Sequence, residues 1–101
     1  MDRKVLTDGR WFDAKKAEKF EGETRWDGHN HFSVHTGSQW SGQNLYRTAG
    51  KKWIVERWFN WQGALTTYEE IDDAAAAAWL VRNGDEPHED FAEEFAALEV
   101  Q

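Results

Sequence analysis

Apolar and polar residues alternate through the middle of the chain, a period of two that is typical of half-buried β-strands. This pattern predicts a strand over residues 31–35. Two further strands, over 45–48 and 52–61, flank the turn sequence at 49–51 and form a predicted hairpin. A second reversal leads into another strand over 65–71. The middle of the chain is thus predicted to be an antiparallel meander in which the longest strand is central.

The last third of the chain changes to a helical pattern. The sequence predicts a helix over 73–83 that an aspartate caps and Gly84 stops. Five consecutive alanines at 74–78 leave almost no side chain above the backbone. We therefore expect this helix to approach the sheet closely, with Trp79 and Leu80 as its anchors.

A second helix is predicted over 89–100, because Phe91, Phe95 and Leu98 recur at i, i+4 and i+7. Together these elements predict an α+β fold, with an antiparallel sheet of four or five strands packed on a C-terminal helix pair. The predicted core consists of Leu45, Trp53, Val55, Phe59, Trp61, Leu65, Ala75, Trp79, Leu80, Phe95 and Leu98.

The first third of the chain has a weaker pattern. An Asp-Gly pair within 7–10 separates two short apolar runs and predicts a tight turn. Residues 14–21 permit a short helix with Ala17 and Phe20 on one face and Gly22 as its stop. A continued strand is the alternative, since about eight residues cannot hold a helix without tertiary packing.

The length and composition limit the class of protein. A chain of 101 residues is the size of one domain, and one domain over 1–101 is expected. The absence of cysteine leaves no disulfide, thiolate zinc site or cysteine nucleophile. No signal-peptide pattern begins the chain, and no segment approaches the ~20 apolar residues of a membrane span. We expect a soluble, cytoplasmic protein without membrane association.

The charge is distributed unevenly. Residues 69–101 contain eleven acidic residues and one arginine, a net of −10, whereas residues 1–68 contain eleven basic and eight acidic residues, a net of +3. Such an acidic segment is usually a solvated surface. The alternative is a surface that meets a basic partner, in which carboxylates imitate the phosphates of a nucleic acid. The predicted contacts of that surface are Glu89, Asp90, Glu93 and Glu94.

Seven tryptophans are more aromatic surface than a small domain ordinarily needs. Trp40 lies in a predicted polar loop over 36–44, and strand alternation places Trp58 opposite the core face. Both are therefore candidates for exposed recognition residues, with Tyr46 or Tyr68 as a further aromatic. Arg47 is predicted to join Trp58 on the second face of the sheet. The alternative is that these aromatics simply cover that face.

The histidines raise the question of a metal site. His29, His31 and His35 fall on one face of a straight strand, and two such imidazoles can converge on one ion. Asp27 would join them on that face, but no Glu follows at a spacing typical of β-barrel metalloenzymes, so hydrogen-bonded or solvent-facing histidines are favoured. The sequence also contains no glycine-rich phosphate loop, serine nucleophile elbow or Cys-His pair. We therefore expect no cofactor and no enzymatic activity.

Roughly residues 44–84 contain a pattern of aromatic and turn residues. In this pattern the chain resembles small uncharacterised bacterial proteins that are carried on plasmids, phages and other mobile elements. The resemblance implies no reaction. It favours the small acidic binders that such elements encode, including inhibitors of restriction or CRISPR systems, antitoxins and immunity proteins. The matching segments are 45–49, Trp53, 58–63, 68–71 and 78–84.

Three hypotheses for function follow from these features. The first is a non-enzymatic protein-binding module, most specifically an acidic inhibitor of a nucleic-acid-handling complex, whose partner is a protein with a basic surface rather than a nucleic acid. The second is a small-ligand or carbohydrate binder that uses exposed aromatics, and the third is a His-dependent metalloprotein. The uneven charge and surplus aromatics are also compatible with a homodimer. The predicted partner contacts are Glu89, Asp90, Glu93, Glu94, Trp58, Trp40 and Arg47.

Overall fold

The computed structural model describes residues 1–86, 88–89 and 92–100. Among these residues, eight short strands precede two α-helices, which confirms the predicted α+β fold. The strands are β1 Arg3–Val5, β2 Trp11–Asp13, β3 Glu18–Glu21, β4 Thr24–Trp26, β5 His31–Ser33, β6 Ser41–Arg47, β7 Trp53–Phe59 and β8 Thr67–Ile71. The helices are α1 Asp73–Asn83 and α2 Ala92–Ala97, and a 3-10 helix covers Ala14–Lys16.

The centre of the fold is a four-stranded antiparallel sheet in the order β3-β6-β7-β8. The β6–β7 hairpin runs from the pair Ser41 and Phe59 to the pair Arg47 and Trp53. Strand β7 lies between β6 and β8, as predicted for the central strand. Strands β1 and β2 form one separate hairpin, and β4 and β5 form another.

Helix α1 covers one face of the sheet, here called the helix face. Leu45, Trp53 and Val55 project from this face and are almost fully buried against four residues of α1. Two of those four are alanines, whose small side chains let the helix backbone come close to the strands. The buried residues of α1 in this cluster are Ala76, Ala77, Trp79 and Leu80.

The ends of α1 follow the local signals in the sequence. The side chain of Asp72 accepts a hydrogen bond from the Ala75 amide at 2.8 Å and caps the N-terminus. Gly84 ends the helix in the left-handed region at φ +84°. The predicted helix over 73–83 is therefore confirmed at both ends.

The opposite face, here called the hairpin face, carries a second core that was not predicted. The β1–β2 hairpin packs over it, so that Leu6 and Phe12 contact Tyr46, Ile54 and Tyr68. The predicted turn at 7–10 is confirmed, since the Leu6 amide donates to the Arg10 carbonyl at 2.7 Å. Strand β7 is thus buried on both faces along its first half.

A buried carboxylate links β6, β7 and β8 on the hairpin face. Glu56 accepts hydrogen bonds from the Tyr68 hydroxyl at 2.6 Å and from the Asn44 amide at 2.7 Å. Both carboxylate oxygens are therefore occupied, which offsets the cost of burying the group. Burial and the bond to Glu56 raise the pKa of the Tyr68 phenol, so Tyr68 remains the donor.

The helix proposed over 14–21 is wrong, and the strand alternative is confirmed for its second half. Residues Ala14–Lys16 form one 3-10 turn, after which the chain extends into β3. Phe20 of β3 lies directly opposite Leu45 of β6. Backbone pairing with a long strand satisfies more hydrogen-bonding groups than an isolated two-turn helix can.

Several predicted core residues are exposed instead. The buried side chains of α1 pack on the half of β7 next to the 48–52 turn, so the far end of the strand has no helix over it. Phe59, Trp61 and Leu65 are therefore 37%, 53% and 79% exposed. Ala75 and Leu98 are also exposed, because they lie on outward faces of the helical region.

The C-terminal helix is shorter than predicted. Helix α2 covers only Ala92–Ala97, and Phe95 is half-buried against the helix-face core. The predicted stripe residue Phe91 lies outside the described residues. Neither α-helix has the length and apolar character needed to cross a bilayer, as judged over the described residues.

Candidate functional site

Three exposed aromatic side chains occur at the end of the β6–β7 hairpin that lies away from its turn. Trp40, Phe59 and Trp61, here called the aromatic end, are 54%, 37% and 53% exposed. The rings of Phe59 and Trp61 are in contact, with centroids 5.0 Å apart at 53°. The Asn60 amide donates to the Trp40 carbonyl at 2.6 Å and ties the two chain segments together.

The strand register explains why the backbones of these residues lie at one end of the sheet. Ser41 begins β6 directly opposite Phe59, so Trp40 precedes one strand where Trp61 follows the other. The predicted loop over 36–44 is therefore only partly a loop, since β6 begins at Ser41. Beyond Trp61 the chain turns through Gly63 at φ +84° and leaves the aromatic end open to solvent.

The aromatic end is also uncharged. The chain has 31% charged residues, yet segments 36–46 and 58–68 contain no Asp, Glu, Lys, Arg or His. The two segments pair with each other where Ser41 faces Phe59 and Gly42 faces Trp58, so this end of the sheet is rich in aromatic, amide and hydroxyl groups. Arg57 and Glu69, which border the second segment, form an ion pair at 3.5 Å. The net charge of −7 therefore lies entirely outside this end.

Trp58 is half-buried rather than fully exposed. It lies opposite Gly42, and a Cβ atom added at Gly42 would lie 2.5 Å from the Trp58 ring. The indole therefore occupies the space above this glycine on the hairpin face. Of the two tryptophans predicted to be exposed, only Trp40 is largely open to solvent.

Arg47 lies far from Trp40 and on the other face of the sheet from Trp58. It pairs with Trp53 at the turn end of the hairpin, about 20 Å along the strand from Trp40. Its guanidinium lies 4.5 Å from the Trp53 ring centroid and donates to the Lys51 carbonyl at 2.8 Å. The predicted surface shared by Trp58 and Arg47 is therefore wrong.

The acidic residues predicted as contacts lie in the C-terminal region. Glu89, Glu93 and Glu94 are exposed, and Asp90 lies outside the described residues. The His88 ring contacts Trp53 at a centroid distance of 5.3 Å, which places the neighbouring Glu89 near the turn end of the hairpin. The structure thus separates Glu89 from the aromatic end.

The histidines do not share one strand face. Strand β5 ends at Ser33, and a turn follows, so His31 and His35 occupy different environments. His31 contacts the Trp26 ring at 4.9 Å, whereas His35 stacks on Trp79 at 4.1 Å and 8°. Within the described ranges, no three His, Cys, Asp or Glu side chains are grouped so that they could hold a metal ion.

The burial of His35 leads to a prediction about stability. Desolvation lowers the pKa of this ring from its usual 6.5. The unfolded chain therefore binds more protons than the folded chain just below that value, and stability is expected to fall as the pH decreases through it. His35→Gln should flatten the pH dependence between about pH 7.5 and 5.5, where carboxylates do not titrate. Denaturant titrations at several pH values in this range test the prediction. It would be contradicted if the free energy of unfolding changed equally steeply with pH in both proteins.

Comparison with known proteins gives no functional assignment, because no protein-family model, curated protein or solved structure matches this chain.

Proposed function

We propose that the protein is a non-enzymatic protein-binding module, and in its most specific form an acidic inhibitor of a nucleic-acid-handling complex. The observation that supports this proposal is the aromatic end. Exposed tryptophans at one end of a sheet are characteristic of interaction sites, because an indole buries a large rigid area at a low entropic cost. Trp is also among the residues that contribute most to binding energy at protein interfaces.

The charge distribution supports a partner with a basic surface. The aromatic end is neutral, while the rest of the molecule carries the net charge of −7. Long-range attraction between the acidic residues outside the aromatic end and a basic partner would accelerate association. Burial of the aromatic end in the complex would slow dissociation. This division of roles makes Glu89, Glu93 and Glu94 steering residues. They need not imitate individual phosphates.

The proposal predicts that Trp40→Ala and Trp61→Ala each weaken partner binding by about 2 kcal/mol, or about 30-fold in Kd. Capture from a bacterial lysate followed by mass spectrometry identifies the partner, and binding kinetics then compare the variants. Trp11→Ala and Trp26→Ala are matched controls, since these tryptophans are 52% and 57% exposed at other places. If the controls lose as much affinity as the test variants, the aromatic end is not the contact surface.

A charge reversal at Glu89, Glu93 and Glu94 separates steering from direct contact. Under the proposal it slows association and removes most of the salt dependence, while dissociation is unchanged. Faster dissociation in the reversed variant would instead place the acidic residues in the interface, as phosphate imitation requires.

A carbohydrate ligand is the second candidate, and the absence of charge at the aromatic end favours it. Flat indoles stack on sugar rings, and neighbouring amides, such as that of Gln39 or Asn60, can bond hydroxyl groups. The affinity for a neutral sugar would not depend on the salt concentration, and the acidic residues outside the aromatic end would have no part in it. Quenching of tryptophan fluorescence by oligosaccharides, lost in Trp40→Ala, would favour this function over protein binding.

A further inference from the structure

A second site lies between α1 and the sheet, where a cavity of about 220 Å³ opens on the helix face. Three polar side chains and one indole surround it, and exposed alanine methyl groups complete its wall. Its lining residues are His35, Gln43, Ala75, Ala78, Trp79 and Arg82.

The hydrogen bonds of Asn83 fix the tautomer of His35. Asn83 Oδ1 accepts the Glu23 backbone amide at 2.7 Å, so this atom must be the carbonyl oxygen. The same oxygen lies 2.9 Å from His35 Nε2, which must therefore carry the hydrogen. Nδ1 of the neutral ring is consequently an acceptor, and it has no hydrogen bond to the described residues.

The other polar groups at the cavity are donors. Gln43 Oε1 accepts the Trp79 indole N–H at 3.0 Å, which leaves the Gln43 amide N–H groups for a ligand. Arg82 is exposed and makes no ion pair or hydrogen bond within the described part of the chain. The cavity therefore combines an available guanidinium and an amide donor with an imidazole that can gain a proton.

We propose that this cavity binds the carboxylate of an organic acid. Arg82 pairs with the carboxylate, the Gln43 amide donates to it, and His35 takes up one proton from solvent and donates from Nδ1. The alkyl part of the acid lies against the methyl groups of Ala75 and Ala78. The guanidinium is suited to this role because its fork matches the two oxygens of a carboxylate.

Proton uptake gives the site a defined pH dependence. The charged groups that act on His35 are Arg82, which opposes protonation, and Asp85, which favours it and accepts from Asn83 Nδ2 at 2.8 Å. A bound carboxylate neutralises Arg82 and stabilises the imidazolium. Affinity is therefore expected to rise as the pH falls, until the ligand's own carboxyl group becomes protonated.

Titration of the full chain with butyrate, followed by ¹H–¹⁵N NMR, tests the site directly. We expect a Kd of about 1 to 10 mM, since the ligand is small. Arg82→Ala should weaken binding about tenfold, the equivalent of one charge-assisted hydrogen bond. Arg25→Ala is the matched control, because it removes one exposed positive charge on β4. Butyramide, which has the same shape without the charge, should not bind.

The His35 ring supplies a readout that a purely structural role would not give. The ¹⁵N shift of Nδ1 should change from the unprotonated to the protonated value on addition of butyrate. Affinity should fall by up to about tenfold per pH unit as the pH rises from the His35 pKa in the free protein to its higher pKa in the complex, where proton uptake accompanies binding. His35→Gln, which retains a donor toward Asn83, should bind with little dependence on pH.

A capped glutamate, N-acetylglutamate N-methylamide, distinguishes two sources of the carboxylate. Preference for butyrate assigns a free organic acid, and preference for the capped glutamate assigns an acidic side chain of a partner protein. Either preference supports the site. The proposal is overturned if neither probe binds, if Arg82→Ala and Arg25→Ala behave alike, or if binding leaves the Nδ1 shift unchanged.

Discussion

Trp79→Ala is expected to lower the free energy of unfolding by about 3 to 5 kcal/mol. The indole is only 7% exposed and lies in the helix-face core between α1 and the sheet. Its removal would leave a cavity, abolish the hydrogen bond to Gln43 and remove the stacking surface of His35. Urea denaturation monitored by circular dichroism measures the change.

Trp61→Ala is the matched control for this prediction. It deletes the same side chain at a position that is 53% exposed, and we expect a change within about 0.5 kcal/mol. If both variants unfolded at the same denaturant concentration as the parent protein, α1 would not be anchored to the sheet through Trp79.

The elements that the sequence predicts well are those with local signals. Helix α1 has a capping aspartate at its start and Gly84 at its end, and both devices act within a few residues. The β6–β7 hairpin was predicted for a similar reason, because a short turn at 49–51 separates two strand-forming segments. Neither prediction needs knowledge of what packs on the element.

The second core could not be predicted in this way. Ile54 and Tyr46 are buried only because the β1–β2 hairpin, more than 30 residues earlier in the chain, packs over them. Alternation along β7 indicates two faces, but it does not say that both are covered. The burial of Glu56 also depends on partners in two neighbouring strands.

The aromatic end was predicted only in part. Its position in a polar segment makes Trp40 a candidate, whereas alternation assigns Phe59 and Trp61 to the core face. They share that pattern with Trp53 and Val55, yet α1 does not extend over them. The absence of charge over 36–46 and 58–68 is the sequence signal that distinguishes the exposed pair, Phe59 and Trp61, from the buried residues of β7.

Gly22→Ala is expected to destabilise the protein by about 3 kcal/mol, at the upper end of the range for overpacking. A Cβ atom at this position would overlap the backbone carbonyl oxygen of Gln43, and a backbone atom cannot move aside as a flexible side chain can. Relief requires the end of β3 to move away from β6. That movement would break the bond from the Gly22 amide to Asn44 at 2.8 Å.

Gly50→Ala provides the matched control, because it makes the same substitution where space is available. The nearest atom to an added Cβ at Gly50 is the Thr48 hydroxyl oxygen at 3.9 Å, and the residue does not lie in the left-handed region. We expect its free energy of unfolding to stay within about 0.5 kcal/mol of the parent value. Thermal denaturation of the two variants side by side measures the difference. Equal stabilities would mean that β3 and β6 do not approach as closely beside Gly22 as the structure shows.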